Sequence, residues 1–318
     1  MLPVRGHILY VMHGSQKYVD QLLFSCLTLL DLLRQSGRGD IGIVIYTDQA
    51  ERCPVHPLVR IIRFSAADLA RWRGPLDFVH RVKIEVLRRA VEEVGAPLIY
   101  VDLDTRWLAL PDVALADLAA GSESKPERPS MYMHVLEGAL SGKVHPRYFA
   151  AMQSKPAVRR ILATWGISTV PPWPMWNAGG IGLRAGMEGF LDDALELCDE
   201  LLLWLRPYAY VEQLSFSLLA NLRYEVKTLE DCVHHYWGVS TEFAPVARKM
   251  LSELDAVASL EERAKVCAAY RWDEQALRES QRQPQHLWAT RLTKMRASVR
   301  KRQLDLKALW LRSLRSAG

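Results

Sequence analysis

The chain has 318 residues, 49% of them hydrophobic and 24% charged, and its formal net charge is +5 at pH 7. This balance is ordinary for a globular enzyme and excludes an intrinsically disordered chain. The five cysteines are scattered without Cys-x-x-Cys spacing, which predicts reduced thiols and a cytoplasmic location. The N-terminal residues lack the apolar run of a signal peptide, and we expect no membrane-spanning segment.

The N-terminal part of the chain alternates apolar runs with helical patterns. Strands are predicted at His7–Met12 and Ile41–Tyr46, with a third candidate at Leu58–Phe64. Helices are predicted at Lys17–Arg34 and Pro75–Val94, where apolar residues recur at helical spacing. This alternation predicts an α/β fold with a mostly parallel central sheet and helices on both faces.

A further buried strand, Pro97–Val101, leads directly into Asp102 and Asp104. Residues i and i+2 of an extended segment point the same way, so both carboxylates can reach one ion. Ligands of parallel sheets bind outside the carboxyl ends of the strands, and Mg²⁺ and Mn²⁺ take oxygen ligands there. The segment therefore predicts a divalent cation site. The alternative is that the two aspartates only end a strand and open a turn.

The second half of the chain is harder to divide into elements. Ser130–Leu136 predicts a strand, whereas the prolines of Pro171–Trp176 predict irregular structure. Helices are predicted at Met187–Leu205 and Val211–Leu222, and a short strand at Cys232–His235.

Three more segments carry polar side chains that suit a ligand site. Asn177 precedes a glycine-rich stretch where backbone can approach a ligand, although a tight turn with a bulge explains it equally. Glu212 and Gln213 begin a predicted helix and either face a cleft or form a solvated first turn. In the segment His234-His235-Tyr236-Trp237-Gly238, one of the two histidines could complete an octahedral cation site, or the segment is the edge of an aromatic core.

The order and spacing of these segments resemble a glycosyltransferase of the GT-A fold, closest to the glycogenin-like and lipopolysaccharide galactosyl- and glucosyltransferases of family eight. The resemblance covers roughly residues 7 to 240. It implies a nucleotide-diphospho-sugar transferase fold. The motifs that carry it are Tyr18 in the first helix, Arg81-Val82-Lys83, Tyr100-Val101-Asp102-Leu103-Asp104, Asn177-Ala178-Gly179-Gly180, Glu212-Gln213 and His235-Tyr236-Trp237-Gly238.

The resemblance implies a cation site and a nucleotide-sugar site. Asp102, Asp104 and His235 would bind Mn²⁺ or Mg²⁺, and Asp102 would also lie near the ribose of the donor. Arg81 would approach the diphosphate or the sugar, and a UDP-hexose is the favoured donor. The residues implied in donor binding are Arg81, Asp102, Tyr18, Gly179, Gly180 and Gly238.

The resemblance also implies catalytic residues. Gln213 would lie beneath the anomeric carbon, Glu212 would contact sugar or acceptor hydroxyls, and Asn177 would shape the pocket for both. A cation would stabilise the charge that develops on the leaving diphosphate. Retention of configuration requires no strongly placed base, whereas inversion requires a carboxylate, for which Glu212 and then Glu137 are the candidates.

The chain departs from the family pattern in two places. The family usually has an aspartate just before the tyrosine of the first helix, where this chain has Lys17. The diphosphate-binding lysine expected after Gly238 is absent, and Arg248 or Lys249 is the candidate substitute. The identity of the donor base is therefore left open.

The C-terminal segment differs in charge from the rest of the chain. Residues 285–318 carry nine basic residues and one acidic residue, or +8, which leaves −3 for the remainder. Apolar residues at roughly helical spacing predict a basic amphipathic helix that suits an anionic membrane surface. The alternative is a helix that packs on the body, whose acidic balance argues against nucleic acid as a partner. We expect a catalytic domain over residues 1–243 and a helical extension over residues 244–318.

Three functional hypotheses follow. The leading one is a metal-dependent transferase, cytoplasmic or peripheral on the inner face of a membrane, that moves a hexose from a nucleotide-diphosphate sugar to a saccharide or lipid-linked acceptor. The second is a nucleotidyltransferase, which requires a glycine-rich basic loop after the first strand, and His13–Lys17 is only a thin version of one. The third is a non-catalytic membrane- or partner-binding protein on a degenerate transferase fold.

Overall fold

The computed structural model describes residues 4–120, 128–141, 143, 145–168, 172–205, 210–255, 258–281, 307–309 and 311–312. Within these ranges, a seven-stranded sheet lies at the centre and two smaller strand pairs lie beside it. The strands are β1 (Gly6–Met12), β2 (Ile41–Thr47), β3 (Val59–Arg63), β4 (Leu98–Val101), β5 (Thr105–Trp107), β6 (Ser130–Met133), β7 (Leu136–Leu140), β8 (Trp173–Trp176), β9 (Gly180–Leu183), β10 (Glu225–Thr228) and β11 (Val233–His235).

The central sheet has the strand order β10-β6-β9-β4-β1-β2-β3. Neighbouring strands are parallel except at β9, which runs antiparallel to both β4 and β6. The predicted α/β class with a mostly parallel sheet is therefore confirmed. The remaining strands form two antiparallel pairs, β5 with β11 and β7 with β8.

Helices cover both faces of this sheet. Successive side chains of β1 point to opposite faces. Leu9 therefore belongs to the same core cluster as Val82 and Leu214, whereas Ile8 and Tyr10 belong to a second cluster that includes the apolar face of the first helix. The helices are α1 (Gln16–Gln35), α2 (Ala66–Arg73), α3 (Arg81–Val94), α4 (Asp112–Ala120), α5 (Pro146–Ser154), α6 (Pro156–Thr164), α7 (Glu188–Leu205), α8 (Val211–Arg223), α9 (Ser240–Asp255), α10 (Leu260–Ala269) and α11 (Glu274–Ser280).

The helix predicted at Pro75–Val94 begins only at Arg81, and the structure adds α2 before it. Gly74 at φ 67° and Asp77 at φ 48° have left-handed backbone, which a continuous helix does not allow. The start of α2 is specified locally, because the Ser65 side chain accepts a hydrogen bond from the Asp68 N–H and the Asp68 carboxylate accepts one from the Ser65 N–H.

The middle of the chain contains more regular structure than its sequence predicts. The strand predicted at Ser130–Leu136 is two strands, because β6 ends at Met133 in the central sheet and β7 belongs to the pair with β8. The prediction of irregular structure at Pro171–Trp176 is wrong for Trp173–Trp176, which form β8. Pro172 lies outside any element, as predicted, and Pro171 lies outside the described residues. Pro174 is tolerated there because β8 has only one described partner strand and one side free of ladder bonds.

The C-terminal helices pack on the body of the molecule. The expected domain boundary after residue 243 falls inside α9, whose Phe243 and Ala247 share a core cluster with α1. Of the basic tail, residues 307–309 and 311–312 are described and helical, and the Arg312 Nε donates to the Leu203 carbonyl at 2.6 Å. The rest of the predicted amphipathic helix lies outside the described residues. No helix in the described ranges is long and apolar enough to span a bilayer.

Candidate active site

A cleft of about 800 Å³ opens beside the carboxyl ends of β1 and β4. This edge is where an α/β sheet places its ligands, because loops diverge there from the strands. The cleft brings together segments that are distant in the chain. Of the residues predicted from the sequence, it is lined by Tyr18, Asp102, Asp104, Asn177, Gly179, Glu212, Gln213 and His235.

The predicted cation ligands meet in this cleft. One ligand atom from each of Asp102, Asp104 and His235 lies within 4.8 Å of the others. The His235 Nε2 is 3.2 Å from Asp104 Oδ1 and 3.8 Å from Asp102 Oδ2. Two carboxylates and one imidazole form a donor set that suits Mn²⁺ or Mg²⁺, with the other positions left to water or phosphate.

Backbone contacts hold this group in place. The Asp102 N–H donates to the Gly179 carbonyl at 2.8 Å, and the Thr105 hydroxyl donates to the Asp102 carbonyl at 2.7 Å. Thr105 is also hydrogen-bonded to the buried Ser25 of α1 at 2.8 Å. Because β11 pairs with β5 antiparallel, His235 lies opposite Thr105. The sheet geometry thus delivers the histidine beside the two aspartates.

A buried lysine, to which the resemblance gave no role, lies at the base of the site. The Lys83 Nζ is 3.2 Å from Asp102 Oδ1, 3.3 Å from Glu212 Oε1 and 2.9 Å from the Ala178 carbonyl. Burial alone would lower the pKa of Lys83, but the charges of Asp102 and Glu212 outweigh it and raise that pKa. Burial would likewise raise the pKa of Asp102, but Lys83 and His235 hold it below its ordinary value. The site therefore carries a fixed internal ion pair.

Glu212 has one engaged and one unengaged carboxylate oxygen. Its Oε1 faces Lys83, and the residue is only 3% exposed. Its Oε2 has no hydrogen-bond partner among the described residues. A buried oxygen without a partner costs about 1–3 kcal/mol, a cost that the neighbouring pair with Lys83 offsets.

A second carboxylate, Glu137, accepts hydrogen bonds from three side chains in the cleft. Its partners are the Asn177 Nδ2 at 2.8 Å, the Gln213 Nε2 at 3.0 Å and the His145 Nε2 at 2.7 Å. Burial alone would raise the pKa of Glu137, but these hydrogen bonds hold it below its ordinary value. Glu137 is therefore a carboxylate at neutral pH.

Gly179 is packed against the site so closely that it leaves no space for a side chain. A Cβ at this position would lie 2.2 Å from the ring of His235 and 2.8 Å from the Asn177 Oδ1. The glycine-rich motif predicted to allow close backbone approach thus lets the backbone at Gly179 lie against the ring of His235.

Three predicted donor-binding residues are not brought to the cleft. The Arg81 Nε donates to Asp199 Oδ1 at 2.8 Å, its Nη1 donates to Glu85 Oε1 at 2.8 Å, and its side chain is only 11% exposed. Its position therefore does not support a contact with the donor. Gly180 lies within β9, and the Gly238 carbonyl accepts a hydrogen bond from Gln281.

The two substitutes suggested for the missing lysine also lie elsewhere. Arg248 is paired with Asp20 at 2.8 Å, and the Lys249 side chain is 79% exposed. Lys17 lines the cleft instead, where its Nζ donates to the Ser240 hydroxyl at 3.2 Å. Burial lowers the pKa of Lys17 from its ordinary value. Lys17, which stands where the resemblance expects an aspartate, thus lies in the cleft beside Ser240. Ser240 belongs to the segment where the resemblance expects a diphosphate-binding lysine.

No family model and no curated protein matches the chain. Among solved structures, it is similar to the galactosyltransferase LgtC in complex with donor and acceptor sugar analogs, at 11% identity over 67% of this chain and 70% of that one, with a TM-score of 0.39. An active-site mutant of LgtC is 13% identical over 70% and 72% of the two chains, with a TM-score of 0.41. The apo form of mouse xyloside xylosyltransferase 1 is 12% identical over 70% and 84%, with a TM-score of 0.43. The chain is thus distantly similar to glycosyltransferase structures.

Proposed function

We propose that the chain is a GT-A-type glycosyltransferase that uses a divalent cation and a nucleoside-diphosphate hexose, with UDP favoured, and transfers the hexose to a saccharide or lipid-linked acceptor. The observation that carries the proposal is the meeting of Asp102, Asp104 and His235 in one cleft with Glu212 and Gln213. A cation site alone would suit many proteins. A cation site beside buried hydrogen-bonding groups suits a substrate that joins a diphosphate to a polyhydroxyl ring.

The residues of the cation site hold the diphosphate end of the donor. Asp102, Asp104 and His235 would bind Mn²⁺ or Mg²⁺, which supplies Lewis-acid stabilisation of the negative charge on the departing diphosphate. The Lys17 ammonium lines the same cleft and would approach the phosphates as a second positive charge.

The buried carboxylate and amides hold the sugar end. Glu212 lines the cleft and would contact a sugar or acceptor hydroxyl. Gln213 and Asn177 line the cleft nearby, with amides fixed by their bonds to Glu137. Fixed dipoles of this kind stabilise the developing oxocarbenium charge without reorganising during the reaction.

The state of the two carboxylates favours a product of retained configuration. An inverting enzyme needs a base for the acceptor hydroxyl. Glu212 is buried and paired with Lys83, and the pKa of Glu137 is lowered by its hydrogen bonds, which makes it a weaker base. Neither group is arranged as a strong base, and retention requires none.

The rival hypotheses lack comparable support. A nucleotidyltransferase would need a phosphate-binding loop after β1, where the structure has a short turn before α1 begins at Gln16. Binding of a membrane surface through residues 285–318 is compatible with transferase activity and remains a prediction.

Calorimetric titration with UDP, GDP and their common sugar conjugates, with and without Mn²⁺, tests the proposal. We expect one nucleotide to bind in an Mn²⁺-dependent manner and Asp104→Asn to abolish that dependence. In an assay of hexose transfer, the rate of Asp104→Asn should be at least about a hundredfold below that of the wild type. This is the size of loss seen when one preorganised electrostatic contact is removed.

Asp117→Asn is the matched control. Asp117 is paired with Lys227 at 2.7 Å outside the cleft, so this substitution removes the same charge without touching the site. A folded wild-type protein that binds no nucleotide under any condition would refute the proposal, and equal loss in the two variants would show that the effect is only one of charge.

A further inference from the structure

Three side chains form a hydrogen-bonded chain that leads from the sugar side of the cleft to the cation side. The Asn177 Nδ2 donates to Glu137 Oε1 at 2.8 Å. The Asn177 Oδ1 lies 3.1 Å from the Nδ1 of His235. The other ring nitrogen, Nε2, faces Asp104 and Asp102. The histidine that would bind the cation is therefore contacted from behind by an amide.

The orientation of that amide is determined by two independent contacts. Glu137 is a carboxylate and can only accept, so the NH₂ group of Asn177 must face it. The Gly179 N–H can only donate, and it lies 2.8 Å from the Asn177 Oδ1. Rotating the amide by half a turn would place oxygen against oxygen on one side and donor against donor on the other.

This orientation requires a proton on the Nδ1 of His235. The Asn177 Oδ1 has no hydrogen to give, so the Nδ1 of His235 must donate to it. The Nε2 lone pair is then the one available to a cation. In metal sites, a partner on the second ring nitrogen of a histidine fixes its tautomer and orientation.

We propose that Asn177 and Glu137 are positioning residues that hold His235 in the tautomer protonated at Nδ1 and so preorganise its Nε2 for the cation. This inference rests on the proposed cation site. It gives Asn177 a role beyond shaping the sugar pocket, and it gives Glu137 a role other than that of a base.

The proposal also links the two halves of the cleft. Glu137 accepts from Gln213 as well as from Asn177, so one carboxylate orients an amide on the sugar side and an amide behind the cation ligand. Removing Gln213 would leave the Asn177–His235 contact in place. The sugar side and the cation side can therefore be separated by mutation.

Binding of Mn²⁺, measured from the electron paramagnetic resonance signal of the free ion, tests the proposal without using activity. Wild-type protein should bind Mn²⁺ in the presence of UDP, and Asn177→Ala should bind it about 10–100-fold more weakly, the usual loss when the partner of a ligating histidine is removed. Gln213→Leu is the control, since it also removes a donor to Glu137, and its Mn²⁺ affinity should match that of the wild type.

A role swap separates positioning from mere structural damage. Asn177→Asp alone replaces the hydrogen bond from Asn177 to Glu137 with a contact between two carboxylates. Their repulsion should displace residue 177 from His235 and weaken Mn²⁺ binding. Adding Glu137→Gln restores the hydrogen bond with its direction reversed, because the new amide at position 137 donates to the new carboxylate at position 177. The double variant has the same total charge as the wild type, and an oxygen of residue 177 still faces the His235 Nδ1. The double variant should therefore regain most of the lost affinity.

Nitrogen-15 spectra of the histidine side chains in the Mg²⁺–UDP complex report the tautomer directly, and we expect His235 to carry its proton on Nδ1. A proton on Nε2, or equal Mn²⁺ affinity in wild type and Asn177→Ala, would overturn the inference while leaving the proposed function standing. If Asn177→Ala does not fold, the role swap decides instead. The inference is overturned equally if Glu137→Gln does not restore the Mn²⁺ affinity of Asn177→Asp. A wild-type protein that binds no Mn²⁺ refutes the proposed function itself.

Discussion

The floor of the cleft and its rim are built from different kinds of contact. On the floor, Lys83, Asn177 and Glu212 are each less than 10% exposed and are tied to one another or to backbone. On the rim, Tyr18 is 42% exposed and Trp237 is 60% exposed. Both groups line the same cleft.

From this difference we infer that the floor would serve the chemistry of the proposed reaction and the rim would recognise its substrates. The charges and amides of the floor are oriented before any ligand arrives, which is the condition for electrostatic stabilisation that costs no reorganisation. The exposed aromatic side chains of the rim have rotational freedom, and binding must restrict it at a cost in entropy. Their rings offer apolar faces on which bases or sugar rings can pack. We therefore expect floor substitutions to affect stability and cation affinity, and rim substitutions to affect nucleotide affinity.

The largest expected effect is that of Lys83→Met. It leaves the buried Glu212, and the partly exposed Asp102 beside it, without the counter-charge of Lys83. Removing one partner of a buried ion pair costs about 3–5 kcal/mol. Urea denaturation should show that loss in the free energy of unfolding. Lys227→Met breaks a pair with Asp117 in which the two side chains are 35% and 24% exposed, against 9% and 4% for Lys83 and Glu212, so this control should cost about 0–1 kcal/mol. Similar losses in both variants would contradict the distinction between floor and surface.

A smaller effect is expected from Gly179→Ala. The added Cβ would lie 2.2 Å from the His235 ring, so the ring must move away from both Asn177 and Asp104. Mn²⁺ affinity should fall about 10–100-fold, comparable to the loss of a ligand's supporting contact.

Gly189→Ala is the matched control for that substitution. A Cβ on Gly189, in the first turn of α7, meets nothing within 4 Å. The change should leave Mn²⁺ affinity intact and stabilise the helix slightly, since alanine is the better helix former. An unchanged affinity in Gly179→Ala would mean that the His235 ring has room to shift without leaving the site.

The parts of the site that could be predicted from sequence depend on local rules. The placement of Asp102 and Asp104 follows from the alternation of side chains along one strand, and the strands around them were predicted within one or two residues. The joining of His235 to the aspartates came from the resemblance and is reproduced by the pairing of β5 with β11.

The parts that could not be predicted depend on packing between distant elements. Lys83 is one charged residue in a buried stretch of α3, and its role becomes visible only where α3 meets Asp102 and Glu212. Glu137 reaches Asn177 because β7 pairs with β8, and the prolines of β8 led to a prediction of irregular structure. Arg81 was predicted from its motif alone, whereas its geometry turns it toward Asp199.

The smallest expected effect, and the one that tests the rim, is that of Trp237→Ala. The indole is largely exposed at the edge of the cleft, in the short turn that follows β11, where it can stack on a base. Aromatic stacking on a base contributes about 1–3 kcal/mol, so UDP affinity measured by calorimetry should fall about fivefold or more.

Trp237→Phe is the control and should retain most of the wild-type affinity, because it keeps an aromatic face. Mn²⁺ affinity without nucleotide should remain unchanged in both variants, since no cation ligand moves. A Trp237→Ala variant that lost Mn²⁺ binding would show that the rim orients the floor, and the two regions would then have to be treated as one cooperative site.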